Sequence, residues 1–514
     1  MSQIVNNKFL EVALSQVPRL LGQLNRNPGS KSYGSFDRAY WHYRTNDISS
    51  CRYQEAAYTL TLLYVHGFEG NCYHNDEKVL EWVRAALRFT SSIQRPNGSF
   101  DEWYINEGSY VGTAFLISAL CQVLILLHEQ GIDLPEEKLI TRVISRAAEF
   151  LLGSSEVTVL NQVSGAIFAL AAASKVTGNA KFRDKADSLL THFLSLQNNE
   201  GWWSEYGGPD IGYLSLTISY LGKCRELTES HEADDAIVRA IKFLEQFINP
   251  DGTAGGEYMA RNTEYLIPSR DLPYLSVINP SNLDDRYLCY VLYNWVETGL
   301  AIAPHALETL PGEQYFSESK LLRSVNDRYQ LFIGSAKGAS LRIYSGGKAY
   351  YDSGLEIKTG RVTLFTGALD QGNITRFKSG ELHVTGSGKP IKEPLMSTPT
   401  VILFKKLQLI FGRLSIYQKA IKKFLRPQMI SYSGSSPIKF ERVIKYSEKE
   451  IEITDVLIGE VNESDVRWGS KAAYTAVPSS KYFVPQELTH NILIPQTNVS
   501  SEPNKITLTR TFKF

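Results

Sequence analysis

Two patterns of apolar positions divide the sequence. From residue 1 to about 304 the apolar residues recur at three- and four-residue spacing, the period of a helix face; beyond about 313 they fall into short alternating segments. The change lies near PHALETLPGEQ at 304–314, so we read a helical domain over 1–312 and a strand-rich domain over 313–514. The helical part is made of pairs. Amphipathic segments at 6–24 and 50–66, 76–95 and 108–129, 136–152 and 160–176, 180–197 and 210–225, and 232–248 and 282–300 give five successive helical hairpins. First members such as WVRAALRFTSSIQR carry charge along one face; second members such as GTAFLISALCQVLILL and SGAIFALAAASKV are poor in charge and rich in small residues. That contrast predicts an outer ring of solvent-facing helices around an inner ring buried on nearly all sides.

In the second part YQLFIGS, SLRIYSG, KAYYDSG, LEIKTG, RVTLFTGAL, ELHVTG, VILFKKLQLIFG, KFERVIKYSEKEIEITDVLIG and KITLTRTFKF read as strands separated by Gly and Asn turns. Antiparallel sheets packed as a sandwich are the expected solution. A basic insertion interrupts them: from Pro394 to Phe440 there is no acidic residue but eight cations, Lys405, Lys406, Arg413, Lys419, Lys422, Lys423, Arg426 and Lys439. SIYQKAIKKFL within it has helical spacing. The insertion reads either as a solvated helix over a sheet edge or, over 405–426, as a peripheral contact with an anionic membrane or glycan.

Charge and cysteine content narrow the partners. Lys plus Arg and Asp plus Glu are equal at 54 each, so no global field draws in nucleic acid. The N-terminal MSQIVNNKFLEVALSQVPRLLGQLN lacks the basic start and small-residue cleavage site of a secretory signal, and the five cysteines lack CxxC spacing. We expect a cytoplasmic protein with reduced thiols, with the inner face of the membrane as its candidate peripheral location. No cofactor and no metal site is expected. The 28 tyrosines, 23 phenylalanines and 7 tryptophans are the informative excess, because flat apolar faces with polar edges suit sugar rings as well as cores.

A repeat registers the hairpins. The loops between helices contain GSFD at 34–37, GSFDE at 98–102, GWWSE at 201–205 and GTAGGE at 252–257, and in the last three a tyrosine follows the glutamate by eight residues: Glu102 and Tyr110, Glu205 and Tyr213, Glu257 and Tyr265. In the third hairpin Glu156 is followed by Ser164. A ring of hairpins gathers these loops at one rim, giving a pocket lined by Glu, Trp and Tyr.

Three stretches, TVLNQVSGAIFALA at 158–171, EGWWSEYGGPDIGYLSL at 200–216 and DGTAGGEYMARNTEYLIP at 251–268, resemble the heparinase II/III-like polysaccharide lyases. The resemblance implies an α+β multidomain fold, an incomplete (α/α)5 toroid followed by an antiparallel β-sandwich. It also implies that Asn161 neutralises a uronate carboxylate and that Tyr213 abstracts the C5 proton. Gln162 and Val163 stand where that family places a histidine, and Leu214 where another is frequent. The residue types fit the reaction: a proton α to a carboxylate is acidic only once donors offset that charge, and a tyrosine with cationic neighbours can take the proton and return it to the leaving oxygen.

Other candidates surround these two. DRAYWHYR at 37–44 offers Arg38, Trp41 and His42, the last as an acid or base; RNTEYLIPSRD at 261–271 offers Arg261, Asn262, Tyr265 and Arg270 for gripping a carboxylate. Glu102, Trp103, Tyr110, Trp202, Trp203 and Glu205 complete the expected substrate surface. NLDDRYLCY adds Asp284, Asp285 and Arg286 at the mouth of the last inner helix. Each has a structural alternative: Asn161, Glu102 and Glu205 as helix caps, the tryptophans and Tyr110 as packing, His42 as a satisfied structural histidine. The functional expectation is a lyase or C5 epimerase acting on an acidic polysaccharide, with surface polysaccharide biosynthesis or editing as its expected setting. The alternatives are a glycoside hydrolase using carboxylates among Asp101, Glu102 and Glu205, and a non-catalytic glycan-binding protein. A terpene-cyclase-like toroid is disfavoured by the β-domain and the lack of DxDD.

Overall fold

The computed structural model of the chain describes residues 7–154, 159–274, 280–302, 311–360, 362–391, 397–414, 416–418, 420–421, 436–468 and 485–514. The helical part contains α1 (Lys8–Gln23), a short α2 (Arg38–Trp41), α3 (Ala56–Val65), α4 (Glu77–Ser92), α5 (Tyr110–Glu129), α6 (Glu137–Leu152), α7 (Leu160–Thr177), α8 (Ala180–Ser195), α9 (Ile211–Thr228), α10 (Asp234–Glu245) and α11 (Asp285–Ala301). The five hairpins anticipated from periodicity are α1/α3, α4/α5, α6/α7, α8/α9 and α10/α11.

Their faces separate as the charge pattern requires. Outer α4 and α6 bury a single stripe, Val79, Leu80, Val83 and Leu87 in one, Ile140, Val143, Ile144 and Leu151 in the other. Inner α3, α5 and α7 are buried nearly all round. Helix α5 has the length and hydropathy, 2.1, of a membrane span, but 78% of that window is buried inside the ring, as a core helix should be. Aspartates begin several helices: Asp76 accepts from the N–H of Lys78 and Val79 in α4, Asp210 from Tyr213 in α9, Asp284 from Tyr287 in α11.

Inner helices α3, α5, α7 and α9 pack side by side, and α11 lies against α3 and α1. Helices α9 and α11 meet through Ser219 and Asn294, 3.3 Å apart, near their middles, and through Lys223 and Glu297 at 2.6 Å in their second halves. Between their first turns lies the loop 253–272, held by a hydrogen bond from the Ile267 N–H to Ser215 Oγ of α9 and by the ring of Tyr265 edge-on to Tyr287 of α11. This buried loop fills the gap that leaves the toroid incomplete.

The strands are β1 (Gly312–Phe316), β2 (Leu321–Val325), β3 (Gln330–Gly334), β4 (Ser340–Ser345), β5 (Lys348–Asp352), β6 (Glu356–Thr359), β7 (Val362–Phe365), β8 (Ile374–Lys378), β9 (Glu381–Ser387), β10 (Lys389–Pro390), β11 (Lys439–Tyr446), β12 (Glu450–Ile458), β13 (Val466–Arg467), β14 (Gln496–Glu502) and β15 (Lys505–Lys513). They form antiparallel sheets in the orders β1-β2-β3-β4-β5, β10-β7-β6-β13 and β14-β15-β12-β11-β9-β8. Burial differs between sheets for a reason of layering. The five-stranded sheet is covered on both faces: Phe316, Phe332 and Tyr344 join the helical core beside Phe243, Phe247 and Tyr258, while Leu331, Ile333, Leu341 and Ile343 face Leu382, Phe440, Ile444 and Ile453 of the six-stranded sheet. The six-stranded sheet has one wet face, so β11, β12 and β15 alternate buried and exposed.

One strand expectation is overturned. VILFKKLQLIFG lies in a helix, α12 (Thr398–Phe411), capped by Ser397, which accepts from the Thr400 N–H. Its apolar residues do not alternate, and Leu, Lys and Gln favour a helix once a serine starts it. Of the basic residues expected to act with it, Lys419, Lys422, Lys423 and Arg426 lie outside the described residues, as does Glu156. Helix α11 ends at Ala301 and β1 begins at Gly312; residues 303–310, where the expected boundary starts, are also outside.

Candidate functional site

The inner helices start at one rim, and two polar clusters occupy it. The first is built from α7, α9 and the loop 253–272. Helix α7 begins on Val159, which has no side chain to cap it, and the Asn161 N–H is taken instead by Glu205 Oε1 from the next hairpin, at 2.6 Å. The Asn161 amide and the Glu205 carboxyl thus face each other, and Asn161 Nδ2 and Glu205 Oε2 are both buried without a close hydrogen-bond partner. Burial pushes the Glu205 carboxyl up to about 8, against the pull of the Asn161 N–H, and the neighbouring Asp210 adds to the rise. Burial thus favours the neutral form of Glu205.

Tyr213 lies in the first turn of α9. The Arg261 guanidinium carbon stands 3.9 Å from its ring centroid and 5.3 Å from that of Tyr206. Burial raises the Tyr213 phenol well above its ordinary value, and Arg261 works in the opposite direction. Asp210, the cap of α9, is also raised by burial and held back by Arg261. Tyr206 takes φ +57°, a backbone state rare outside glycine, in the turn between Glu205 and Gly207. The second part of the chain braces that turn, since Gln371 Nε2 donates to the Gly207 carbonyl at 2.8 Å.

The same part braces the loop. Arg342 of β4 donates from Nε to Glu257 Oε1 at 2.9 Å and from Nη2 to Glu257 Oε2 at 2.6 Å, and it also pairs with Glu264; all three are buried. Gly256, at φ +124°, lets the guanidinium approach, because a Cβ there would overlap it. Lys337 Nζ donates to Asn262 Oδ1 at 3.2 Å, and burial lowers this lysine to about 8.

The second cluster occupies the rim near α3, α5 and α11. Arg52 is sandwiched between Phe115 and Tyr290, 4.4 and 4.2 Å from their centroids, and pairs with Glu55, whose carboxyl burial raises to about 7. Arg286 Nη2 donates to Glu102 Oε1 at 2.7 Å, Ser109 Oγ to Glu102 Oε2 at 3.3 Å. Above them Arg286 covers the half-exposed ring of Trp103 at 3.6 Å. Tyr287 of α11 links the clusters, since it contacts Tyr290 and Tyr265.

The structure thus brings Asn161, Glu205, Tyr213 and Arg261 together, and Glu102 with Trp103. Tyr110 is buried at the start of α5. Trp202 and Trp203 are core residues: Trp203 stacks on Phe193 and donates its indole N–H to the Phe193 carbonyl, and Trp202 donates to Glu200, so neither ring offers a face to a sugar. Trp41 donates to the Gln23 carbonyl, anchoring the 37–44 segment to α1, and Arg38 lies over Tyr43. His42 is exposed between Trp41 and Tyr43, and among the described residues no contact joins it to Tyr213 or Asn161. Arg270 is separated from Arg261. It pairs with Glu226 at 2.9 Å near the far end of α9, about 20 Å along the helix from Tyr213 at 1.5 Å per residue. There it lines a separate cavity with Lys223, Glu226 and Glu297. Asn262 and Tyr265 are both buried in the wedge between α9 and α11.

Glu55, Tyr206, Asp210 and Tyr290 were not singled out from the sequence. Asp210 carried a signal, an aspartate three residues before Tyr213 at a helix start; Glu55 and Tyr290 sit in runs that read as ordinary inner-helix sequence. Asp101 is engaged by Arg95 at 3.1 Å and by the N–H groups of Asn106 and Gly108.

The family model of the ulvan lyase N-terminal domain matches residues 41–265. No curated protein matches the sequence. Among solved structures, the chondroitin AC lyase of Streptomyces coelicolor A3, in complex with chondroitin sulphate, aligns over 87% of this chain and 66% of its own length, with 9% identity and a TM-score of 0.51. The chain therefore spans slightly less than two thirds of that enzyme, and the likeness is one of fold. Heparinase III aligns over 99% of this chain and 90% of its own, with 12% identity and a TM-score of 0.46. A heparan sulfate lyase from Pedobacter heparinus aligns over 90% and 70%, with 11% identity and a TM-score of 0.42. The family match covers the helical region that holds Asn161, Glu205 and Tyr213, and the chain shares its fold with a polysaccharide lyase built on an (α/α) toroid.

Proposed function

We propose that the chain acts on an acidic, uronate-containing polysaccharide by removing the C5 proton of the uronate. The observation that carries this reading is the rim cluster in which a buried amide and a buried carboxyl, Asn161 and Glu205, share a site with a tyrosine under a guanidinium, burial pushing the carboxyl toward its neutral form. A uronate carboxylate set between Asn161 Nδ2 and the Glu205 O–H has its charge spread over two donors, which makes the C5 proton removable. Tyr213 takes that proton as phenolate, the form that Arg261 favours. In a lyase the C5–H pair then forms the C4=C5 bond, the C4–O bond breaks, and Tyr213 returns its proton to the leaving oxygen. Burial favours the protonated phenol, so the phenolate that begins the cycle depends on the opposing pull of Arg261. In an epimerase Tyr213 keeps the proton it took, a second proton reaches C5 from a donor or water on the opposite face, and no bond to C4 breaks.

A hydrolase reading has less support, because Asp101 and Glu102 are both engaged by arginines. The expected cytoplasmic location and role in building or editing a surface polysaccharide belong to the same proposal.

The test is incubation of the purified chain with chondroitin sulfate, heparan sulfate, ulvan and alginate. Ultraviolet absorbance of unsaturated product reports the lyase; solvent deuterium at C5 reports the epimerase. Glycan binding with neither signal would replace this reading by that of a binding protein.

A further inference from the structure

Helix α12 lies against the rim and leaves one side uncovered. Its inner side carries Phe404, whose ring meets Tyr104 at 5.1 Å, and Gln408, whose carbonyl accepts from Asn106 Nδ2 at 3.0 Å. After the helix, Gln418 donates from Nε2 to the Gly412 carbonyl at 2.6 Å and to the carbonyl of Asn106. Asn106 belongs to the loop that also holds Glu102 and Trp103, so α12 is fixed to the substrate rim. At 100° per residue, Ile402, Leu403, Leu409 and Ile410 fall on the opposite side, with Lys406 among them. They are 50%, 59%, 59% and 67% exposed, and Leu414 just beyond the helix is 55% exposed. Such a run of aliphatic side chains is costly in water.

The charge on this surface selects its partner. Lys406 and Arg413 are exposed, Lys405 is anchored at 3.2 Å to Asp47 of the rim segment, and residues 394–440 contain no acid. Aliphatic residues interleaved with cations, without acids, match the headgroup boundary of an anionic bilayer, where the apolar side chains enter the acyl region and the cations meet lipid phosphates. We infer that α12 is an interfacial membrane anchor that seats the rim of the toroid next to an anionic bilayer. The glycan reached by the rim is then one held at the membrane surface. This last step rests on the proposed function; the anchoring does not, because it needs no turnover.

Flotation of the full chain with vesicles tests it. Binding is expected to vesicles of phosphatidylcholine with about 30% phosphatidylglycerol, weakening in high salt, and to be much weaker with phosphatidylcholine alone. Replacing the exposed side chains by Leu403→Ser, Leu409→Ser and Ile410→Ser together should lower binding at least roughly tenfold, since each removes an inserting aliphatic group. Lys406→Glu and Arg413→Glu should each lower it about fivefold or more. All five positions are exposed, so the fold is not at stake, and thermal unfolding should be unchanged. Absence of binding to anionic vesicles, binding indifferent to the three serines, or a dimer in light scattering that the serines dissociate would overturn the anchor, the last by assigning the surface to a second copy. Each result is read without substrate, so it is independent of whether lyase activity is found.

Discussion

Glu205 gives the sharpest handle on the site, through the variant Glu205→Gln. The carboxyl is 2% exposed and is pushed up to about 8 from an ordinary 4.5. A group whose folded value lies above its unfolded value binds a proton more tightly in the fold. Its contribution is fully present below the unfolded value and is lost as pH rises through the folded one. Stability should thus fall from about pH 4.5 to about pH 8, with a limiting slope of about 1.4 kcal/mol per pH unit, and level off above. Between about pH 5 and pH 8 this single group removes roughly 3–4 kcal/mol. Glutamine keeps an oxygen to accept the Asn161 N–H and an N–H₂ to stand for the carboxyl O–H, but does not titrate.

The assay is urea unfolding of the parent and the variant at several values between about pH 5 and pH 8, followed by tryptophan fluorescence. Other groups, Glu55 among them, contribute equally to both, so the difference isolates Glu205. The two should be similar at about pH 5 and diverge by roughly 3–4 kcal/mol in favour of the glutamine variant by about pH 8. If activity is present, the variant should retain it and lose the alkaline decline that deprotonation of Glu205 imposes on the parent. Parallel stability curves would refute the neutral-acid assignment and with it the pairing of two neutral donors on the uronate.

Tyr213→Phe should abolish unsaturated product, by roughly a thousandfold or more, since proton transfer contributes about 10²–10⁴-fold and this residue serves two transfers; circular dichroism and melting should be unchanged, and retained activity would remove Tyr213 from the chemistry. Arg286→Met leaves the buried Glu102 carboxylate without its ion pair, which costs about 3–5 kcal/mol in denaturant titration. Adding Glu102→Gln should recover most of that loss. Arg342→Met strands Glu257 and Glu264 in the same way, with a similar cost, and limited proteolysis should then cut within 253–272 first.

The helical hairpins were readable because an inner helix buried on all sides and an outer helix buried on one leave different charge patterns. In the six-stranded sheet β9, β11, β12 and β15 were readable from alternation for the same reason. The five-stranded sheet hid two strands, β1 and β2: Leu321–Val325 is buried throughout, so it shows no alternation. Strand β14 also escaped, being exposed throughout. VILFKKLQLIFG misled because a dense apolar run carries no clear period, and its orientation is set by Tyr104 and Asn106, 302 residues away in sequence in the contact between Asn106 and Gln408. In the site, Asn161, Glu205 and Tyr213 were legible from a motif and a repeat. Their neighbours were less so, because Arg261 reaches Tyr213 only through the fold of the 253–272 loop, which periodicity does not describe. That same loop separates Arg270 from Arg261, although their closeness in sequence suggested one carboxylate grip.

The repeated glutamates show how one loop design came to serve three ends. Each follows a glycine-containing turn before an inner helix or the wedge, and each is buried, so each needs a donor. Glu102 takes Arg286 from across the ring, Glu257 takes Arg342 from the sheet, and Glu205 takes the backbone N–H of Asn161 in α7 and, among the described residues, no arginine ion pair. Two are thus held by charged donors, while the third, lacking one as close, is pushed toward the neutral form. The same eight-residue spacing then sets a tyrosine near each, but only Tyr213 stands in the first turn of a helix beside an uncompensated carboxyl and under a guanidinium. Tyr110 begins α5 beside a glutamate already paired, and Tyr265 lies in the wedge with no helix beginning at it. The repeat supplies three positions with the same residue types; ion pairing removes two of them from contention, which is why chemistry, if the ring performs it, is expected at the α7–α9 side of the rim.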